Sequence, residues 1–149
     1  MEKVLLVDDD PDALEVLDWT LTDWGFSVCT AASGEHAITL AESFSPAVLI
    51  TDYCLEGPLT GVDVIRRLRA EISGLRVVLV TGLPVERFRH ELEGLDEVMV
   101  VSKPFRWSEL CTQLDLNLPP ASGVIPARKN LPAENPVNRP GIAAEEPLI

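Results

Sequence analysis

Residues 4–12 read VLLVDDDPD, four apolar side chains running straight into three adjacent aspartates. An unbroken apolar run of this length suits a strand covered on both faces, where neither side of the pleat meets water. The pattern then stops abruptly at three like charges. Asp10 has a structural use: an acceptor side chain followed by proline marks a helix start, with Asp10 as N-cap and Pro11 in the first turn. Asp8 and Asp9 are left at the carboxyl end of the first strand without such a use.

The same grammar repeats along the chain. β-rich segments fall at 3–7, 27–31, 47–51, 75–80 and 97–101, and three of them are continuous apolar runs. Helical patterns lie between them at 11–24, 34–44, 60–73, 84–93 and 106–116. In the first of these, Leu14, Leu17, Leu21 and Trp24 recur at helical spacing. Five strands, each followed by a helix, predict an α/β fold: a doubly wound, mostly parallel five-stranded sheet with helices on both faces. Ligands of such sheets bind outside the carboxyl ends of the strands.

Composition agrees with one globular domain. The chain has 149 residues, 46% of them hydrophobic, enough to bury a core. No apolar run approaches the ~20 residues of a membrane helix, and the charged start MEKVLLVDDD is not a signal peptide, so no membrane partner is expected. Cys29, Cys54 and Cys111 form no CxxC pair and are odd in number, which suggests free thiols and a cytoplasmic location. The net charge is −12, and residues 1–116 hold 21 acids against 9 bases. That surface repels phosphate backbones, so nucleic acid is not expected as a partner. Seven of the twelve prolines follow Leu118 in a stretch with no period and no aromatic residue. The domain is therefore expected to end at 118, with 119–149 a flexible Pro-rich tail.

Further chemistry collects at the strand ends. Asp52 closes the third strand in AVLITDYCL, Thr81 follows the fourth in VLVTG, and Lys103 follows the fifth in VVSKPF. Two carboxylates ~4 Å apart repel by roughly 4 kcal/mol at an effective dielectric near 20. Asp8, Asp9 and Asp52 converging on one edge thus call for a cation, and oxygen ligands suit a hard ion such as Mg²⁺. A metal, a hydroxyl and an ammonium around a carboxylate make a site for phosphoryl transfer, in which the carboxylate attacks.

With these motifs in order and suitably spaced, residues 1–116 resemble the receiver domain of bacterial two-component response regulators. VLLVDDDPDALEVL, VLITDYCLEGPLTGVDVIRRLR, VLVTG and VVSKPF carry the likeness. The resemblance implies a flavodoxin-like fold and a phosphoacceptor signalling domain rather than an enzyme. Its only chemistry would be Mg²⁺-dependent self-phosphorylation from phosphodonors and autodephosphorylation. Asp52 would accept the phosphoryl group. Asp9, Asp52 and the backbone carbonyl of Cys54 would bind Mg²⁺, with Asp8 reaching it through water. Thr81 and Lys103 would hold the phosphoryl group, and the Lys103–Pro104 peptide would be cis.

Three departures from the family pattern stand out. Glu56 occupies the place of a usual proline. The nine residues from Asp52 to Gly61 are one more than the commonest spacing. Val100 stands where relatives commonly carry Tyr, Phe or His, which turns inward on activation. Val100 is too short and too stiff at χ1 for that motion, so a switch is expected through backbone shifts near Gly82 and Pro104. Cys54 is read as a small loop residue rather than a redox switch.

Two other acid-rich motifs fit less well. A calcium loop starting at Asp8 would need Gly at Ala13 and Glu at Trp19. A phosphatase of the haloacid dehalogenase type would use Asp8 and Asp10, but Asp12 stands where Thr or Val belongs, and the chain is short for a cap. The expected function is a stand-alone receiver phosphorylated by a histidine kinase or a histidine phosphotransfer protein, acting on an unidentified downstream protein. A phosphate-sink receiver, or the terminal receiver of a hybrid kinase, is the alternative.

Overall fold

The computed structural model describes residues 2–106 and 108–110. The order of elements is β1 (Lys3–Val7), α1 (Pro11–Asp23), β2 (Ser27–Ala31), α2 (Gly34–Phe44), β3 (Val48–Asp52), α3 (Gly61–Glu71), β4 (Arg76–Thr81) and β5 (Val98–Ser102). The strands form one all-parallel sheet in the order β2-β1-β3-β4-β5. This is the doubly wound α/β fold expected from the sequence, and its strand order reverses at β1.

Alternation within single strands builds two cores from one sheet. Val4, Leu6, Val48, Ile50, Val78 and Val80 face one side, where Leu17 and Leu21 of α1 cover them. Leu5, Val7, Leu49, Val77 and Leu79 face the other, under Ala37 and Ala41 of α2 and Ile65 and Leu68 of α3. The central strands β1, β3 and β4 are apolar on both faces because both faces are roofed, whereas the edge strands β2 and β5 are only partly buried.

The helix starts are fixed by side chains. Asp10 accepts from the Asp12 N–H at 3.0 Å, as its place before Pro11 predicts. Ser33 accepts from the His36 N–H, and Thr60 and Asp63 form a reciprocal capping box. The caps hold helix boundaries within two residues of the expected ones, and three strands run one residue later than expected. That shift makes Asp52 and Thr81 the last residues of β3 and β4.

The helix expected over 84–93 does not form. In its place are two short 3₁₀ turns, Val85–Arg87 and Arg89–Leu92. Val85, Phe88 and Leu92 have helical spacing, but Pro84 offers no side-chain cap. Phe88 leaves helical geometry (φ −133°, ψ 11°) as it buries its ring completely. Arg66 of α3 also donates to the carbonyls of Glu91 and Glu93, engaging groups a helix would use or cap. Tertiary contacts override a weak local preference. Of the helix expected over 106–116, residues 108–110 are helical, and Arg106 precedes them outside the helix with its carbonyl accepting from the Glu109 and Leu110 N–H groups. The remainder lies outside the described residues, as does the tail expected over 119–149.

Candidate functional site

Parallel register brings the expected residues to one edge. Val7 pairs with Thr51, Asp52 with Val80, and Thr81 with Ser102, so the carboxyl ends of β1, β3, β4 and β5 lie side by side. Asp8 follows β1, Asp52 closes β3, Thr81 closes β4 and Lys103 follows β5. Asp8 and Asp52 thus flank the point where strand order reverses, the crevice in which such sheets bind ligands.

The three adjacent aspartates have three different fates. Asp10 caps α1. Asp8 is buried, its Oδ1 accepting from the Asp10 N–H at 2.9 Å and its Oδ2 from Lys103 Nζ at 2.9 Å. Asp9 is exposed at the mouth of the crevice. Lys103 Nζ also donates to Asp52 Oδ2 at 3.0 Å, bridging the ends of β1 and β3. Oxygens of Asp8, Asp9 and Asp52 all lie within 4.8 Å of one another.

At that separation each ionised pair repels by roughly 3.5 kcal/mol at an effective dielectric near 20. Three carboxylates and one ammonium leave a formal charge near −2. A hard divalent cation such as Mg²⁺ fits both this charge and the all-oxygen donor set.

The titration behaviour follows from the same crowding. Burial lifts the Asp52 carboxyl above the usual carboxylate value, and the Lys103 hydrogen bond and charge do not fully cancel this, with Asp8 adding to the rise. Burial alone would lower Lys103, but its bonds to Asp8 and Asp52 outweigh it and raise the ammonium above its ordinary value. Lys103 is therefore a fixed positive charge. Burial, then the charges of Asp52 and Asp9, push the Cys54 thiol up. A raised thiol is a poor nucleophile, which counts against a redox role.

Around this centre the backbone is tightly placed. The Lys103 N–H donates to the Thr81 carbonyl at 2.8 Å, and the Lys103–Pro104 peptide is cis. The Thr81 hydroxyl, buried, accepts from the Leu83 N–H at 3.0 Å. The Cys54 N–H donates to Asp52 Oδ1 at 3.3 Å. The loop carrying Glu56 is pinned by a bridge between Glu56 and Ser33 and turns at Gly57 (φ +95°). Val100 is half-buried against the same core as Phe88.

Two residues at the site, both within VLITDYCLEGPLTGVDVIRRLR, were given no role from the sequence. A Cβ on Gly61 would lie 2.1 Å from the Asp52 carbonyl oxygen, so only glycine lets α3 begin against the end of β3. Tyr53, next to Asp52, stacks on Phe88 (centroids 4.6 Å apart, 20° between planes) and donates its hydroxyl to Glu91 at 2.7 Å. Burial, then Glu91, push this phenol up to about 12. The one available signal was an aromatic residue beside Asp52.

A family described as the response regulator receiver domain matches residues 4–115. The DNA-binding response regulator MtrA of Mycolicibacterium smegmatis is 33% identical over 119 residues, covering 78% of this chain and 50% of that protein. The "probable transcriptional regulatory protein TcrX" of Mycobacterium tuberculosis is 34% identical over 113 residues, covering 74% of this chain and 47% of that protein. This chain spans about half the length of these curated relatives. Among solved structures, chemotaxis protein CheY4 of Vibrio cholerae aligns with a TM-score of 0.69 and 26% identity, covering 77% of this chain and 97% of that one.

Proposed function

This chain belongs to the response regulator receiver family of two-component signalling, and from that premise we propose that it accepts a phosphoryl group on Asp52. The observation that carries the reading is Lys103 Nζ held 2.9 Å from Asp8 and 3.0 Å from Asp52 across the crevice. It sets a fixed cation against the carboxylate where the ends of β1 and β3 bring three acids together.

The donor would be a histidine kinase or a histidine phosphotransfer protein. An Asp52 carboxylate oxygen attacks phosphorus, a P–O bond forms, the P–N bond to the donor imidazole breaks, and an acyl phosphate results. Water later cleaves the acyl phosphate and restores the carboxylate. Lys103 can pass one of its hydrogen bonds from Asp52 to a phosphoryl oxygen, and the Thr81 hydroxyl can turn from its loop to donate to another. Asp9, Asp52 and the Cys54 carbonyl would hold Mg²⁺, with Asp8 acting through water. Bound there, the ion would neutralise charge on the phosphoryl oxygens.

Signalling would proceed in the cytoplasm through changed contacts with a downstream protein. MtrA carries DNA binding in its name, but the 21 acids against 9 bases in residues 1–116 argue against this domain itself touching DNA. Val100, lacking the reach of an aromatic, favours a phosphate sink as the second reading. With Mg²⁺ and a small phosphodonor, the intact mass should rise by one phosphoryl group, and Asp52→Asn should abolish the gain. Equal labelling of the Asn variant would remove Asp52 from the reaction.

A further inference from the structure

We propose that Tyr53 is a positioning residue that couples the state of Asp52 to the 3₁₀ segment at 85–92, through its stack on Phe88 and its hydrogen bond to Glu91. This rests on Asp52 being the phosphoacceptor and concerns how its state is read.

Tyr53 is joined to the site through its backbone. Its N–H donates to the Val80 carbonyl at 3.2 Å, and its carbonyl accepts from the Gly61 N–H at 2.8 Å. It therefore cannot shift without moving the end of β4 or the start of α3. A displacement at Asp52, one peptide away, reaches Tyr53 directly.

The segment at the far end is poorly self-sufficient. Its backbone bonds (Arg87 to Pro84, Phe88 to Val85, Glu91 to Phe88, Glu93 to His90) all span three residues, the weaker geometry of short 3₁₀ turns. Side chains from elsewhere set its position. Phe88 is fully buried against Tyr53, and Glu91 is held twice: its carboxylate by the Tyr53 hydroxyl and its carbonyl by Arg66 of α3. Glu91 thus joins the site to α3.

Val100 faces the same core but is too short to bridge it, whereas Tyr53 already spans it. A phenol pushed up to about 12 stays protonated, so the hydroxyl remains a donor at any physiological pH. The link responds to geometry, not to titration.

The test records amide chemical shifts of the full chain with and without Mg²⁺ and beryllofluoride, a phosphoryl mimic. In the parent protein, shifts are expected at Gly82 and Lys103 and across residues 85–92. Tyr53→Phe keeps the ring stack and loses the hydroxyl. It should reduce the response across 85–92 by at least half, with the response at Gly82 and Lys103 and the labelling of Asp52 within twofold of the parent. Glu91→Ala should behave like Tyr53→Phe, and Glu91→Gln, whose amide oxygen still accepts, should restore the response. Full propagation in both Tyr53→Phe and Glu91→Ala overturns the proposal. So does a loss of melting temperature with an unchanged response, which would make the contact packing alone. If the parent shows no shift at Gly82 and Lys103, the acceptor reading fails first, and the relay with it.

Discussion

Gly61 offers a test in which one methyl group probes how α3 is seated against the end of β3. The Cβ of Gly61→Ala would sit 2.1 Å from the Asp52 carbonyl oxygen and 2.9 Å from its carbonyl carbon. Both atoms are backbone and cannot rotate aside, so the helix start or the end of β3 must move by about an ångström to reach ordinary contact. Such overpacking costs roughly 1–3 kcal/mol. Alanine's better helix propensity returns at most ~1 kcal/mol, and less at the first helical position. A net loss of about 1–2 kcal/mol lowers Tm by roughly 4–15 °C for a domain near 100 residues. Displacement should also lengthen the 2.8 Å bond from the Gly61 N–H to the Tyr53 carbonyl and slow labelling of Asp52. Gly82→Ala is the matched control, because a Cβ there meets nothing within 4 Å. Thermal unfolding by circular dichroism compares the two. If Gly61→Ala melts within about 2 °C of both the parent and Gly82→Ala, the close approach is not a real constraint and the argument fails.

Other outcomes follow from the carboxylate cluster and its surroundings. Mg²⁺ should raise Tm by binding the folded state, and Asp9→Ala should lose that increment; a full Mg²⁺-dependent shift in the variant removes Asp9 from the ligand set. Thr81→Ala should leave labelling of Asp52 largely intact while weakening the beryllofluoride response at 85–88 and 98–101, and unchanged shifts there would exclude the hydroxyl as a relay. The Asp52 carboxyl titrates above its ordinary value, so the folded state binds its proton more tightly than the unfolded chain does. Its contribution therefore stabilises at low pH and is lost as pH climbs from about 3.9 through the folded value. In chelator, Asp52→Asn should melt above the parent at pH 7, and the gap should close near pH 3; a variant that melts lower at pH 7 contradicts this sign.

What the sequence determined by itself was the frame and the chemistry at its rim. Short apolar runs such as 4–7 and 48–50, alternating with helical patterns, read as strands roofed on both sides, and Asp10-Pro11 marks a helix start locally, because a cap is satisfied within three residues. Once the strands are parallel, residues at their carboxyl ends must share an edge, so Asp8, Asp9, Asp52, Thr81 and Lys103 could be gathered from strand order alone. Tertiary structure decided what depends on partners distant in the chain. Residues 84–93 have helical spacing, yet Phe88 gains more by burying its ring on Tyr53, and Arg66 holds the carbonyls of Glu91 and Glu93, so two 3₁₀ turns replace the helix. Gly61 was legible as the end of a motif spacing, but why it must be glycine shows only in the fold, where the Asp52 carbonyl occupies the place its side chain would take. Contacts spanning 38 residues, as from Tyr53 to Glu91, leave no periodic mark on the sequence, because periodicity records which face an element buries and not which residue it meets there.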